Sequence, residues 1–159
     1  MGGLVLDGFR EGLLGRAKIT VPKHLVDLDA DPFIPKGWSV PEGCHQKGGI
    51  FTWGASKVSL YLSESQKEGK WTEGKELRKD LAGKPVFNAN LLDYLLKNPH
   101  LIPEEWNDQF VFFWGTIYRV SDDGLCVRCL RWYDGRWNWL CRWLVYAWRA
   151  DYPAAVSES

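Results

Sequence analysis

An α+β fold is predicted, with a C-terminal three-stranded antiparallel β-meander and two short helices packed on it. Three observations predict it. Asp134-Gly135 is a dipeptide that favours a type I′ hairpin turn, and it stands between runs rich in aromatic and β-branched residues. Ser121-Asp122-Asp123-Gly124 makes a second turn upstream, so residues 110–144 read as consecutive strands. Leucines recur at helical spacing in two earlier segments, Leu77 and Leu81 in residues 73–81 and Leu91, Leu92, Leu95 and Leu96 in residues 89–97.

The elements follow in chain order. Residues 1–18 are Gly-rich with scattered Leu and form an N-terminal arm; residues 19–156 form one globular domain. Residues 17–21 read as a short strand stopped by Pro22. Residues 32–49 hold three prolines and four glycines and are irregular. Residues 57–62 read as a strand. Ser63-Glu64-Ser65-Gln66 fits a capping box, in which the first and last side chains satisfy each other's backbone amides. The charged helix over 73–81 stops at Gly83. Asn88 caps the second helix, which Asn98-Pro99 ends.

The hairpin turn fixes a register. A two-residue loop at Asp134-Gly135 sets Tyr133 opposite Arg136, Trp132 opposite Trp137, Leu130 opposite Trp139, Arg128 opposite Cys141 and Cys126 opposite Trp143. Carried through an unbroken first strand, one face holds Phe113, Ile117, Arg119, Cys126, Arg128, Leu130, Trp132, Trp137, Trp139, Cys141 and Trp143. The other holds Phe112, Trp114, Tyr118, Val120, Leu125, Val127 and Cys129. The helices are expected to cover part of the first face. Residues 89–97 span only about 13 Å as a helix, against roughly 20 Å for the row of tryptophans in the third strand. One end of the row is therefore expected outside the helix footprint.

Composition bounds the function. The chain has 159 residues, 45% hydrophobic, and its 20 Lys and Arg balance 20 Asp and Glu. Zero net charge argues against a nucleic-acid or membrane-surface binder. No apolar run approaches the ~20 residues of a membrane span, and no secretory leader stands at the N-terminus, so a cytoplasmic location is expected. The anomaly is tryptophan. From Trp106 onward the chain holds seven of its ten Trp, six of its nine Arg and no Lys. Trp and Arg carry interface energy, whereas Lys is depleted at interface centres.

The segments Asn88-Ala89-Asn90-Leu91-Leu92-Asp93-Tyr94-Leu95-Leu96, Leu101-Ile102-Pro103-Glu104-Glu105-Trp106 and Phe113-Trp114-Gly115-Thr116-Ile117-Tyr118-Arg119 resemble a family of small bacterial proteins. So do Trp137-Asn138-Trp139 and Pro153-Ala154-Ala155-Val156. The resemblance covers about residues 20–156, implies a bacterial source and brings no activity with it.

Each candidate site has a plainer reading beside it. Cys126 and Cys129 have zinc-knuckle spacing, but a strand sends positions i and i+3 to opposite faces, and no second such pair exists. Cys44, His45 and Cys141 would complete a site only by coincidence of folding. Asp27, Asp29 and Asp31 begin like a calcium loop, but Pro32 and Trp38 stand where it needs Gly and Glu. Solvated or turn-capping acids are the simpler account. His24, His45 and His100 fall in no catalytic or metal frame, and no nucleophile elbow or phosphate loop is present. Glu104-Glu105 after Pro103 reads as the acidic first turn of a short helix. No metal and no cofactor is expected. The expected function is a non-catalytic interaction module that binds a protein partner or itself through Trp132, Trp137, Trp139, Trp143, Arg119 and Arg128. The alternative is a small metal-assisted enzyme using Asp27, Asp29 and Asp31.

Overall fold

The computed structural model describes residues 23–121 and 124–158. The N-terminal arm and the strand expected at 17–21 lie outside the described residues, as do Asp122 and Asp123 of the upstream turn. The described chain is α+β, with two α-helices and ten strands. The strands are β1 (Leu25–Asp27), β2 (Ile50–Thr52), β3 (Val58–Tyr61), β4 (Thr72–Glu73), β5 (Val111–Phe112), β6 (Tyr118–Arg119), β7 (Leu125–Tyr133), β8 (Arg136–Trp143), β9 (Ala147–Trp148) and β10 (Ala154–Ser157). The helices are α1 (Gly74–Leu81) and α2 (Ala89–Lys97).

The helices form where the capping chemistry puts them. The Asn88 carboxamide oxygen accepts the Asn90 amide at 3.0 Å and starts α2. Gln66 Oε1 accepts the Ser63 amide at 3.2 Å, which closes the capping box on the single turn Glu64–Gln66. Gly83, at φ +82°, turns the chain away from the end of α1.

The expected three-stranded meander is replaced by a larger mixed sheet. Its order is β3-β10-β5-β7-β6, with β8 also paired to β7. β10, cut from the last residues of the chain, lies antiparallel to β3 and parallel to β5. β7 and β8 pair in the hairpin register that Asp134-Gly135 dictates, Tyr133 opposite Arg136 through Cys126 opposite Trp143. Asp134 and Gly135 both have positive φ, +54° and +77°, as a type I′ turn requires.

The first strand departs from expectation. It is broken over 113–117 into β5 and β6, both of which pair with β7. Tyr118 lies six positions beyond Phe112, whereas their partners Cys126 and Cys129 lie three positions apart. The first strand thus carries three extra residues, and an odd insertion exchanges its faces. Tyr118 and Val120 therefore pack with Cys126. Ile117 joins the opposite face with Trp114 and Val127, and Arg119, opposite Leu125, follows it.

The insertion is pinned against the start of α2. The Gly115 amide donates to the Phe87 carbonyl at 2.9 Å, and a Cβ on Gly115 would stand 2.7 Å from the Asn88 backbone. The Asn88 Nδ2 donates to the Leu28 and Gln46 carbonyls, each at 2.9 Å. The sheet is covered on both faces. α2 packs Leu91, Leu92 and Leu95 on Val111, Phe113 and Leu130. α1 packs Leu77 and Leu81 with Phe112, Val127 and Trp148 on the other side. The two helices therefore do not share a face, which corrects the expectation that both would cover the first. Gly115→Ala should lower stability by about 1–3 kcal/mol, as overpacking of a closed site does. Urea unfolding measures this, and a loss below about half a kcal/mol would show that the junction can open.

Candidate functional site

The Trp/Arg hairpin divides into an inner and an outer part. Arg128 anchors the inner part. Its side chain is 1% exposed, yet it carries a charge that burial opposes. The Asp93 carboxylate on α2 accepts from both ends of the guanidinium, at 2.9 Å to Nη1 and 2.8 Å to Nη2. The Asp93 pair and a 3.4 Å bond from Nη1 to the Tyr118 hydroxyl outweigh the burial, so the Arg128 pKa rises. Trp139 lies on the guanidinium face at 4.2 Å, and Phe33 and Tyr118 face it at 5.3 and 5.8 Å. Burial pushes the Tyr118 phenol up, and its hydroxyl donates to the Phe33 carbonyl at 2.8 Å.

Two thiols flank this pair. Cys126 and Cys141 share a face of the hairpin and a common cluster with Trp143. A hydrogen bond from Cys126 lowers the Cys141 thiol to about 7 against its partial burial, and the Arg128 charge helps. On the opposite face burial pushes Cys129 up to about 12. The strand thus separates the two thiols of the C-x-x-C pair, as its geometry requires.

The outer part is open. Trp132 is 42% exposed and meets Trp137 across the strands in an edge-to-face contact at 5.5 Å. The two indoles wall a trough of about 400 Å³ whose other sides are Pro99, His100, Ile102, Glu104 and Asn107. Tyr133, 60% exposed, stacks under the Arg131 guanidinium at 4.2 Å. Trp143 is half-buried and helps to line a second hollow of about 370 Å³ with Leu125, Leu144 and Val145. Arg119 is exposed on β6, where its backbone exchanges hydrogen bonds with Ser39.

The six residues singled out from sequence are therefore not one surface. Trp132 and Trp137 come together at the hairpin tip. Trp139 is a part-buried ring packed on the buried Arg128. Trp143 stands near the far end of β8, and Arg119 points to the α1 side of the sheet. The sequence reading missed Asp93 and the trough residue Asn107, and it had set aside His100 and Glu104, which line the same trough. Asp93 had a signal, since a carboxylate set among Leu91, Leu92, Leu95 and Leu96 calls for a buried cation.

The acidic segment has turn chemistry. Asp27 Oδ1 accepts the Asp29 amide at 3.0 Å and Asp29 Oδ1 accepts the Gly49 amide at 2.9 Å. Asn90 holds the same loop through the Asp27 and Ala30 carbonyls. Among the described residues no three His, Cys, Asp or Glu side chains form a group that could hold a metal ion. One pairing resembles a nucleophile and its base, His45 Nδ1 and Thr116 Oγ1 at 2.9 Å. The Ala30 carbonyl can only accept, so Nε2 donates to it; in the neutral ring Nδ1 then accepts from the Thr116 hydroxyl, which itself accepts the Ala89 amide. Thr116 is fully buried, so this chain of bonds braces the loop and offers no attacking oxygen to a substrate.

No helix among the described residues is long and apolar enough to cross a membrane. Comparison with family models, curated proteins and solved structures finds no match to the chain.

Two outcomes test the inner site. Asp93→Ala leaves a buried guanidinium unpaired and should cost about 3–5 kcal/mol, read by urea unfolding; a cost below about 1 kcal/mol would mean that water reaches Arg128. Iodoacetamide should label Cys141 well before Cys129, with the Cys141 rate half-maximal near pH 7. Mass spectrometry of the labelled peptides decides it, and first labelling of Cys129 would contradict the geometry.

Proposed function

We propose that this chain is a non-catalytic interaction module and that the exposed tip of its Trp/Arg hairpin receives the partner. One observation carries the reading. Trp132 and Trp137 stand at the tip as an aromatic pair beside an open trough, Trp132 exposed and Trp137 seated by its part-buried ring against the α2 cluster. Indoles lose little side-chain entropy on binding and bury a large area, which is why they dominate interface energy. Glu104, Asn107 and His100 give the trough a polar rim, the usual border of a binding surface. The resemblance to small bacterial proteins suggests a bacterial source, and four cysteines not joined in disulfides suit a reducing cytoplasm. The enzyme reading is not favoured, because Asp27 and Asp29 are engaged with backbone amides.

The test separates binding from folding. Trp132→Ala should cost less than about 1 kcal/mol, as an exposed site does, and should abolish capture of the partner from extracts. Trp139→Ala, which removes the ring over Arg128, should cost about 3–5 kcal/mol. Equal destabilisation by both changes, with capture unaltered by Trp132→Ala, would make the row plain core and end the interaction reading.

A further inference from the structure

The free edge of β8 identifies the kind of partner, and this inference rests on the interaction reading above. Among the described residues β8 pairs with β7 alone. The hairpin phase says which of its backbone groups that pairing uses. Residues flanking a two-residue loop exchange both hydrogen bonds, and bonded pairs then recur at every second residue. The Leu144 amide donates to the Leu125 carbonyl at 3.0 Å, in that same phase. Arg136, Asn138, Leu140 and Arg142 therefore direct their backbone groups to β7. Trp137, Trp139, Cys141 and Trp143 direct theirs outward. Among the described residues, the partners of these outward groups are confined to the Trp143 carbonyl, which accepts from the Tyr146 amide and from Trp148 Nε1, each at 3.2 Å. The edge is eight residues long and regular. It has none of the prolines or lysines with which sheets blunt an open edge.

We propose that a second copy of this chain pairs antiparallel along this edge, with the two-fold axis at Leu140, so that one sheet runs through both copies. The phase admits only registers in which outward residues meet outward residues. With the axis at Leu140, Trp137 lies opposite Trp143 of the second copy and Trp139 opposite its Cys141. Asn138 lies opposite Arg142. The outward groups of Trp139 and Cys141 then all find partners, and the Trp143 amide meets the Trp137 carbonyl, while the Trp143 carbonyl keeps its own donors, Tyr146 and Trp148. An axis at Trp139 would set Arg136 directly against Arg142, and like charges in that position repel. An axis at Cys141 would carry Trp137 past the end of the opposing strand. At the Leu140 axis two side chains, each 39% exposed, meet in the closely spaced, non-bonded kind of pair. The chain's zero net charge sets no long-range repulsion between copies.

Light scattering on the full chain tests this from micromolar to near-millimolar concentration. The mass should rise from 18.3 kDa toward twice that value. Cys141→Pro removes one outward amide and no bond to β7, which an edge strand tolerates. Leu140→Lys puts two ammonium groups on the axis. Each variant should stay monomeric while keeping the wild-type circular dichroism. In concentrated wild-type protein the amides of Trp139, Cys141 and Trp143 should exchange slowly with solvent, and dilution should release them. A wild-type mass that stays monomeric throughout overturns the proposal, as does a dimer that survives both substitutions. Should a variant fail to fold, the wild-type mass and the amide exchange still decide. A monomeric wild type whose partner capture still depends on Trp132 sinks this inference and leaves the interaction reading intact. A dimer broken at Leu140, with capture indifferent to Trp132, does the reverse for the hairpin tip.

Discussion

A guanidinium with one per cent of its side chain in water depends on protein partners, and those that Nη1, Nη2 and the planar face of Arg128 find position most of what surrounds it, while its Nε has none among the described residues. Its in-plane hydrogen bonds go to Asp93, which fixes the rotation of α2 about its own axis. Its face goes to Trp139, which fixes the hairpin's second strand. Tyr118 reaches it from β6 and passes the constraint on to the loop at Phe33. Burial of such a charge is costly unless the geometry is good, and the paired bonds to one carboxylate are the favourable case. The same charge helps to hold the Cys141 thiol down to about 7, so one buried cation sets both packing and local reactivity.

The broken first strand makes this enclosure possible. Were the strand continuous, Tyr118 would face α1 and Arg128 would lose its hydroxyl partner. The three extra residues turn Tyr118 inward, and they do so by folding Gly115 and Thr116 against the α2 N-terminus. That close approach needs a residue without a Cβ at 115. Thr116 then accepts the first amide of α2 and ties His45 to the same point. Helix start, strand break and acidic loop are thus one hydrogen-bonded junction, and a change at any of them reaches the others.

Much of this was legible locally and little of it globally. The α2 boundaries, its Asn88 cap, the 63–66 capping box and the β7–β8 register all follow from interactions within a few residues. Those are the signals that a sequence carries directly. The insertion in the first strand was not legible, because Phe113 to Tyr118 reads as a β-rich run in which Gly115 hints at a bulge without giving the number of extra residues. The place of Pro153-Ala154-Ala155-Val156 was not legible either. Its segment forms a strand between two others drawn from far away in the chain, and small residues are what so crowded a position admits. For the candidate site, composition found the tryptophans but could not sort them. Trp139 and Trp132 have the same parity and the same chemistry, and they differ only in whether a cation and a neighbouring loop lie beneath them.

That difference gives the hairpin its gradient. At Arg128 and Trp139 the pair of strands is fixed from both sides, and beyond Trp137, whose ring still packs against the α2 cluster, the support thins until the ladder and its tight turn hold Trp132 in place. A surface that must be rigid before it binds cannot rest on flexible side chains, because ordering them would consume part of the affinity. Here the rigidity is transmitted along β7 and β8 from a buried anchor to an exposed tip. The outward amides of β8 benefit in the same way, since a strand clamped at Arg128 presents its edge in line. One strand can thus be core at its centre, an aromatic surface at its tip and a backbone edge along its side, because alternation directs side chains to two faces while the peptide groups point along a third direction.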